Sequence, residues 1–312
     1  LINSRKLSFF IFIMPNKLFE NVLTLISKPG KLTREHINAV SYLSNNTKGS
    51  WLGNGEAWET YSFKQKEEIE TIVRDKLKGE SIDVIVQQNI NRKKRLLISD
   101  MDSTIIGQES LDVVAEHAGV GQEVSKITNN AMIGKIDFSS SLKKRVKFLS
   151  GKPASLFQKV YKDKIFLNTG AKILIDTMRA NNAVTILVSG GFNFFCDKIA
   201  DEVGFDYAYS NNLEIINGII SGNIIKPIYD SVSKLNSLQM HCSQHGITMK
   251  DTIAVGDGAN DILMLKNAGM GISFHGKSIT KQYSDAELNY CDLTGILYIQ
   301  GYKQSEFINN QT

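Results

Sequence analysis

Two carboxylates one residue apart, Asp100 and Asp102 in the stretch LLISDMDST, directly follow an apolar run, so a strand there presents both at its exposed end. Such a pair can divide one reaction between two groups. One carboxylate attacks phosphorus and becomes an acyl phosphate, while the other gives a proton to the leaving oxygen. Taken alone, Asp-x-Asp after a strand is equally a turn or a helix cap. Later segments sharpen it. LVSGG offers the Ser189 hydroxyl and the Gly190 backbone N–H, both suited to the non-bridging oxygens of a phosphoryl group, though a plain glycine turn looks the same. AVGDGANDILML puts Asp257 at another strand end, with Asn260 and Asp261 on the first turn of a helix. Asp257 and Asp261, four residues apart, face the same way. Hard oxygen ligands of this kind suit Mg²⁺, which keeps waters and shares a substrate phosphate.

Positioning these groups requires strands that end side by side. Short β-rich runs at 95–99, 184–188 and 252–255 each precede one of the polar clusters and alternate with helical stretches, as a parallel α/β sheet requires. In such an open sheet the strand ends converge on one edge, where ligands bind. Residues 105–169 read as mainly helical, with Leu111, Val114 and Ala118 at helix spacing, and form a candidate cap over that edge. Apolar alternation over 213–225 around Asn217-Gly218 predicts a tight hairpin. Upstream, a strand at 22–26, a helix at 33–43, short strands around Trp51 and Tyr61, a helix at 65–77 and a strand at 82–86 give a βαββαβ order. That order suits an α+β ferredoxin-like unit. The polar, basic stretch 89–94 separates it from the rest, which predicts domains at 15–90 and 91–312, with the cap at about 105–169.

The 312 residues, 42% hydrophobic and 22% charged, suffice for a large core plus a smaller unit. A net charge of only +4, with basic residues interleaved among acidic ones, argues against nucleic acid as a partner. Cys196, Cys242 and Cys291 are widely spaced and form no CxxC pair, which suits a reducing cytosol. The apolar run 7–14 is far shorter than the roughly 20 residues that cross a bilayer, and no signal-peptidase site follows it. Residues 1–14 are therefore expected to be a disordered or non-native leader, with Met14 a candidate start, and a targeting role the alternative. The same arithmetic sets aside a membrane ion pump, which also uses a phosphorylated aspartate.

DMDST, SGG, Lys234 in YDSVSKLNSL, and GDGAND together resemble motifs I to IV of the haloacid dehalogenase superfamily, and residues 93–302 resemble its phosphoserine phosphatases. The finer match includes Glu109 in GQESLDVVAEHAGV, Met132 and Arg145 in NNAMIGKIDFSSSLKKRV, and the closing DLTGILYIQGY. The N-terminal unit resembles the amino-acid-sensor-like (ACT-like) domain that precedes some members. This resemblance implies a Rossmann-like core with a helical cap inserted after the first motif. It implies Asp100 as nucleophile, Asp102 as general acid and then base, and Mg²⁺ held by Asp100, the Asp102 carbonyl and Asp257, with Asp261 behind them. It also implies substrate contacts from Glu109, Met132, Arg145, Ser189, Gly190, Lys234 and Asn260. For phosphoserine each charge then meets its opposite: Glu109 the ammonium, Arg145 the carboxylate, Lys234 and Mg²⁺ the phosphate. Without the family pattern, Lys234 reads as a surface charge, Glu109 as a helix N-terminal acid, Arg145 as part of a basic helical face and Met132 as core packing. The expected activity is Mg²⁺-dependent hydrolysis of phosphoserine, the last step of serine synthesis, by a phosphoric monoester hydrolase acting on a small molecule. Another small phosphomonoester, transfer to an alcohol such as homoserine, or a phospho-accepting switch are the alternatives, and a homodimer stays open.

Overall fold

The computed structural model describes residues 21–44, 48–133 and 135–309. The expected leader at 1–14 lies outside the described residues. β1 (Asn21–Ser27), α1 (Arg34–Val40), β2 (Ser50–Gly53), β3 (Ala57–Ser62), α2 (Lys66–Lys76) and β4 (Ile82–Gln88) come first. Their strands pair antiparallel in the order β2-β3-β1-β4, the ferredoxin-like arrangement. The first helix is shorter than its sequence pattern predicts. Thr33 caps it instead of joining it, and a 3₁₀ turn, Ser41–Leu43, replaces its end. There the Ser41 and Ser44 hydroxyls donate to the carbonyls of Asn38 and Ser41, diverting the backbone from α-helical pairing.

β5 (Leu96–Asp100) runs into a tight turn, Met101–Ile105, in which Ser103 takes φ 54°. Four helices cover that end: α3 (Ser110–His117), α4 (Gly121–Met132), α5 (Phe138–Phe148) and α6 (Ser155–Lys164). Next come α7 (Ala171–Ala180), β6 (Val184–Phe192), α8 (Asn193–Val203), β7 (Tyr207–Ile216), β8 (Ile219–Ile225) and α9 (Ser231–His245). The last elements are β9 (Thr252–Gly256), α10 (Ile262–Asn267), β10 (Gly271–Phe274), α11 (Ser278–Lys281), β11 (Ala286–Leu288) and α12 (Gly295–Ile299).

The seven strands order as β11-β10-β9-β5-β6-β7-β8. All neighbours are parallel except β7 and β8, whose hairpin turns on Asn217 (φ 50°) and Gly218 (φ 77°). Strand order reverses at β5, so the carboxyl ends of β5, β6 and β9 frame a crevice. Leu96, Leu97 and Ile98 are fully buried, at about 1.5–3 kcal/mol each, and fix the strand that carries Asp100. β6 runs past the expected end at Val188 to Phe192, because Asn211 on β7 donates to the Gly190 carbonyl and holds the glycines extended.

The two sheets share one apolar cluster in which Ile26, Leu52, Ala57 and Ile85 join Tyr298 and Ile299. Polar contacts also cross. Asp83 on β4 accepts the backbone N–H groups of Asn289, Tyr290 and Cys291 at 2.7, 3.1 and 3.1 Å, and Arg92 pairs with Glu59 at 2.7 Å. Among the described residues no helix is long and apolar enough to cross a membrane.

Candidate active site

β5 delivers Asp100 almost fully buried, and α9 brings Lys234, with no exposure, against it. Asp230 starts α9 by accepting the N–H groups of Val232 and Ser233 at 3.0 Å, which sets Lys234 in the first turn. The Lys234 ammonium donates to Asp100 at 2.5 Å and to Asp261 at 2.7 Å. Burial works against that ammonium, but Asp100 and Asp261 outweigh it and raise its pKa. The other Asp261 oxygen accepts the N–H groups of Asp257 and Gly258 at 3.1 Å. Both oxygens of Asp261 are thus engaged, and it works as an anchor for the lysine and the loop. Gly256 has to be glycine here, since a Cβ would stand 2.4 Å from the Asp261 carboxyl carbon.

Carboxylate oxygens of Asp100, Asp257 and Asp261 lie within 4.8 Å of one another, all buried. Asp257 Oδ1 and Asn260 Oδ1 are buried without a hydrogen-bond partner. A buried acceptor left in this way is costly unless a cation or donor meets it, so the cluster fits a hard divalent ion. Burial raises the Asp100 pKa well above its ordinary value, with Asp261 adding and Lys234 opposing. Asp257 is raised by burial and then by Glu109, Asp261 and Asp100.

Asp102 accepts from the Ser110 N–H at 2.7 Å and from the Ser189 hydroxyl at 3.3 Å, and that hydroxyl in turn accepts from the Gly191 N–H at 2.9 Å. Burial raises the Asp102 pKa against the Ser110 hydrogen bonds, which favours a proton on it. A cavity of about 220 Å³ opens at this point, its polar wall including Asp100, Asp102, Glu109, Thr128, Arg145, Gly190 and Asn260. Phe138 and Leu142 on α5 close its apolar side. Glu109 accepts from the Ser103 hydroxyl at 2.7 Å, and burial followed by the Asp102 charge pushes its pKa up to about 7. Arg145 is buried beside it, with Nη1 donating to Thr128 at 3.2 Å and Nε without a partner.

Most of the residues singled out in the sequence therefore meet in one place. Lys234, Asp257 and Asp261 join the cavity through Asp100, while Ser189 is fully buried and bonded to Asp102. Met132 ends α4, but its side chain lies outside the described residues. Sequence reasoning missed Ser103 and Ser110, which hold Glu109 and Asp102, and Phe138, whose ring comes so close that a Cβ on Gly190 would stand 2.4 Å from it. Ser103 sits inside DMDST and could have been noticed there. No local signal marks Phe138.

The family model for haloacid dehalogenase-like hydrolases matches residues 97–266. The chain belongs to that family. Within it, a phosphoserine phosphatase of Archaeoglobus fulgidus is 40% identical over 230 residues, which span 72% of this chain and 67% of that protein. A solved phospho-aspartyl intermediate analogue of a phosphoserine phosphatase is 39% identical with a TM-score of 0.64, covering 66% of this chain and 98% of that one. A haloacid dehalogenase family hydrolase from Salmonella enterica serovar Typhi has a TM-score of 0.79 at 25% identity and covers 90% of this chain and 98% of its own. As a haloacid dehalogenase-like hydrolase, the chain carries the family's divalent-metal site as the buried acidic triad.

Proposed function

We propose that this chain hydrolyses O-phosphoserine to serine and phosphate through a phosphoryl group carried on Asp100. The observation that carries this reading is the presence of a Glu109 carboxyl and an Arg145 guanidinium in the cavity that also holds Asp100 and Asp102. An ester with ammonium, carboxylate and phosphate matches that set, and a plain phosphomonoester would give neither Glu109 nor Arg145 a substrate charge to meet. The phosphoserine phosphatase relatives at about 40% identity support the same substrate.

In the first step an Asp100 oxygen attacks phosphorus, forming an O–P bond as the seryl O–P bond breaks, and Asp102 gives its proton to the seryl oxygen. Water then attacks the Asp100-bound phosphorus and passes a proton to Asp102, and phosphate leaves with Asp100 free. Lys234 offsets charge on Asp100 throughout, and Gly190, which lines the cavity, offers its backbone N–H as a donor for a phosphoryl oxygen. Mg²⁺, held by Asp100, the Asp102 carbonyl and Asp257 with Asp261 behind, would supply the positive charge opposite a phosphate dianion. Three free, buried cysteines fit a reducing, cytoplasmic setting.

Phosphate release from phosphoserine, phosphothreonine and simple phosphomonoesters, with and without Mg²⁺, tests the proposal. Phosphoserine should give the highest kcat/KM, activity should need the ion, and Asp100→Asn should abolish turnover. Higher kcat/KM on an ester without the amino acid moiety would remove Glu109 and Arg145 from these roles.

A further inference from the structure

We infer that Asp112 and Thr128 are positioning residues for the substrate carboxylate, holding the Arg145 guanidinium through a hydroxyl relay that leaves most of its donors free. The inference rests on the reading of this cavity as a phosphoserine pocket. The three residues come from α3, α4 and α5, so the relay spans three cap helices. Thr128 Oγ1 donates to Asp112 Oδ1 at 2.5 Å and accepts from Arg145 Nη1 at 3.2 Å. The same hydroxyl lies 3.2 Å from the Val124 carbonyl, but it has one proton, and the shorter contact to a carboxylate takes it.

The spacing matters for what the arginine can still do. Among the described residues Arg145 makes no direct ion pair, and its Nε is buried without a partner. A direct pair with Asp112 would commit the planar fork that a ligand carboxylate needs. With Thr128 between them, Asp112 still supplies opposite charge while only one donor is used. Of the charges acting on Arg145, Asp112 is the strongest, ahead of Glu109 and Asp102. Without Asp112, the strongest remaining counter-charge is Glu109, the proposed partner of the substrate ammonium, and an Arg145–Glu109 pair would occupy both recognition groups at once. Thr128 also suits the task sterically, since its branched side chain is restricted at χ1 and holds the hydroxyl in one direction.

The test compares kcat/KM on O-phosphoserine and O-phosphoethanolamine, which differ by the carboxylate alone. Wild type should favour phosphoserine, and equal use of the two would overturn the pocket reading itself, whatever Asp112 and Thr128 do. Thr128→Val should lower the phosphoserine-to-phosphoethanolamine ratio roughly 10- to 100-fold, the loss typical when a group that orients a ligand-binding side chain is removed. Most of the change should fall on the phosphoserine KM, and Thr128→Ser, which keeps the hydroxyl, should restore it. Asp112→Asn, which keeps shape and acceptor but not charge, should move the ratio the same way. A selective wild type whose ratio is unchanged in both Thr128→Val and Asp112→Asn overturns the inference. So does an equal loss on both substrates, which is what a purely structural role produces.

Discussion

Replacing Lys234 by methionine removes a charge from the centre of the site with little change in volume, so packing contributes little to the result. The ammonium is wholly buried between Asp100 at 2.5 Å and Asp261 at 2.7 Å. Deleting one partner of a buried ion pair costs about 3–5 kcal/mol, because the charge left behind has no counterpart. At about 2–4 °C per kcal/mol for a unit of this size, the melting temperature should fall by roughly 6–20 °C. The loss depends on pH. Burial and Asp261 raise the Asp100 pKa while Lys234 holds it down, so without the lysine it rises further. A carboxyl with a raised folded pKa takes up a proton on folding, so the penalty is full at high pH and shrinks as pH falls toward the unfolded value of about 3.9. Thermal melts of the ion-free protein at pH 8 and pH 5 should therefore show a larger deficit at pH 8. Adding Asp100→Asn should recover part of it, since one of the two stranded carboxylates is then neutral. Turnover should fall roughly 10²- to 10³-fold, as when one donor to a developing charge is lost. A deficit at pH 8 below about 2 °C, or a double variant no more stable than the single one, would refute the reasoning.

Glu109 should pair with an ammonium only when ionised. The kcat/KM ratio of phosphoserine to phosphoglycolate, which lacks the ammonium, should rise with pH through about 7 and become flat in Glu109→Gln. Asp83→Ala should destabilise the chain by at least about 1–3 kcal/mol in urea titrations, because it strips the acceptor from three backbone N–H groups between the sheets. An Asp83→Ala midpoint equal to wild type would mean that those groups find other acceptors.

The parts of the site that could be read in advance are those set within a few residues. Asp100 and Asp102 stand out because β5 is a short apolar run ending in acid, and the cap helices and the Asn217-Gly218 hairpin follow from local periodicity and turn chemistry. What escaped is long-range. The extension of β6 depends on Asn211, 21 residues beyond Gly190, and the tie from Ser189 to Asp102 spans 87 residues. Asp83 finds its acceptor role more than 200 residues away, at 289–291. Lys234 is the clearest case. Its local sequence is that of any exposed lysine, and its complete burial comes from Asp100, 134 residues earlier, and Asp261, 27 residues later. Only the order of motifs across the chain singled it out.

Asp100, Asp102, Glu109 and Asp257 all have pKa values above the ordinary carboxylate range, and burial is the leading cause in each. The folded chain therefore binds more protons at this site than the unfolded chain does. The stability these groups contribute is fully present below about pH 4 and is lost as pH rises through their folded values, about 7 for Glu109. An apolar cluster would avoid that loss, so its persistence needs a cause outside folding. In the proposed mechanism the cause is the reaction. The burial that weakens the fold at neutral pH favours a proton on Asp102 for the departing seryl oxygen, and it leaves Asp257 with an oxygen that only a cation or donor satisfies. A divalent ion beside Asp257 and a substrate ammonium beside Glu109 would supply the positive charge that these carboxylates call for, and their binding would return stability to the folded chain.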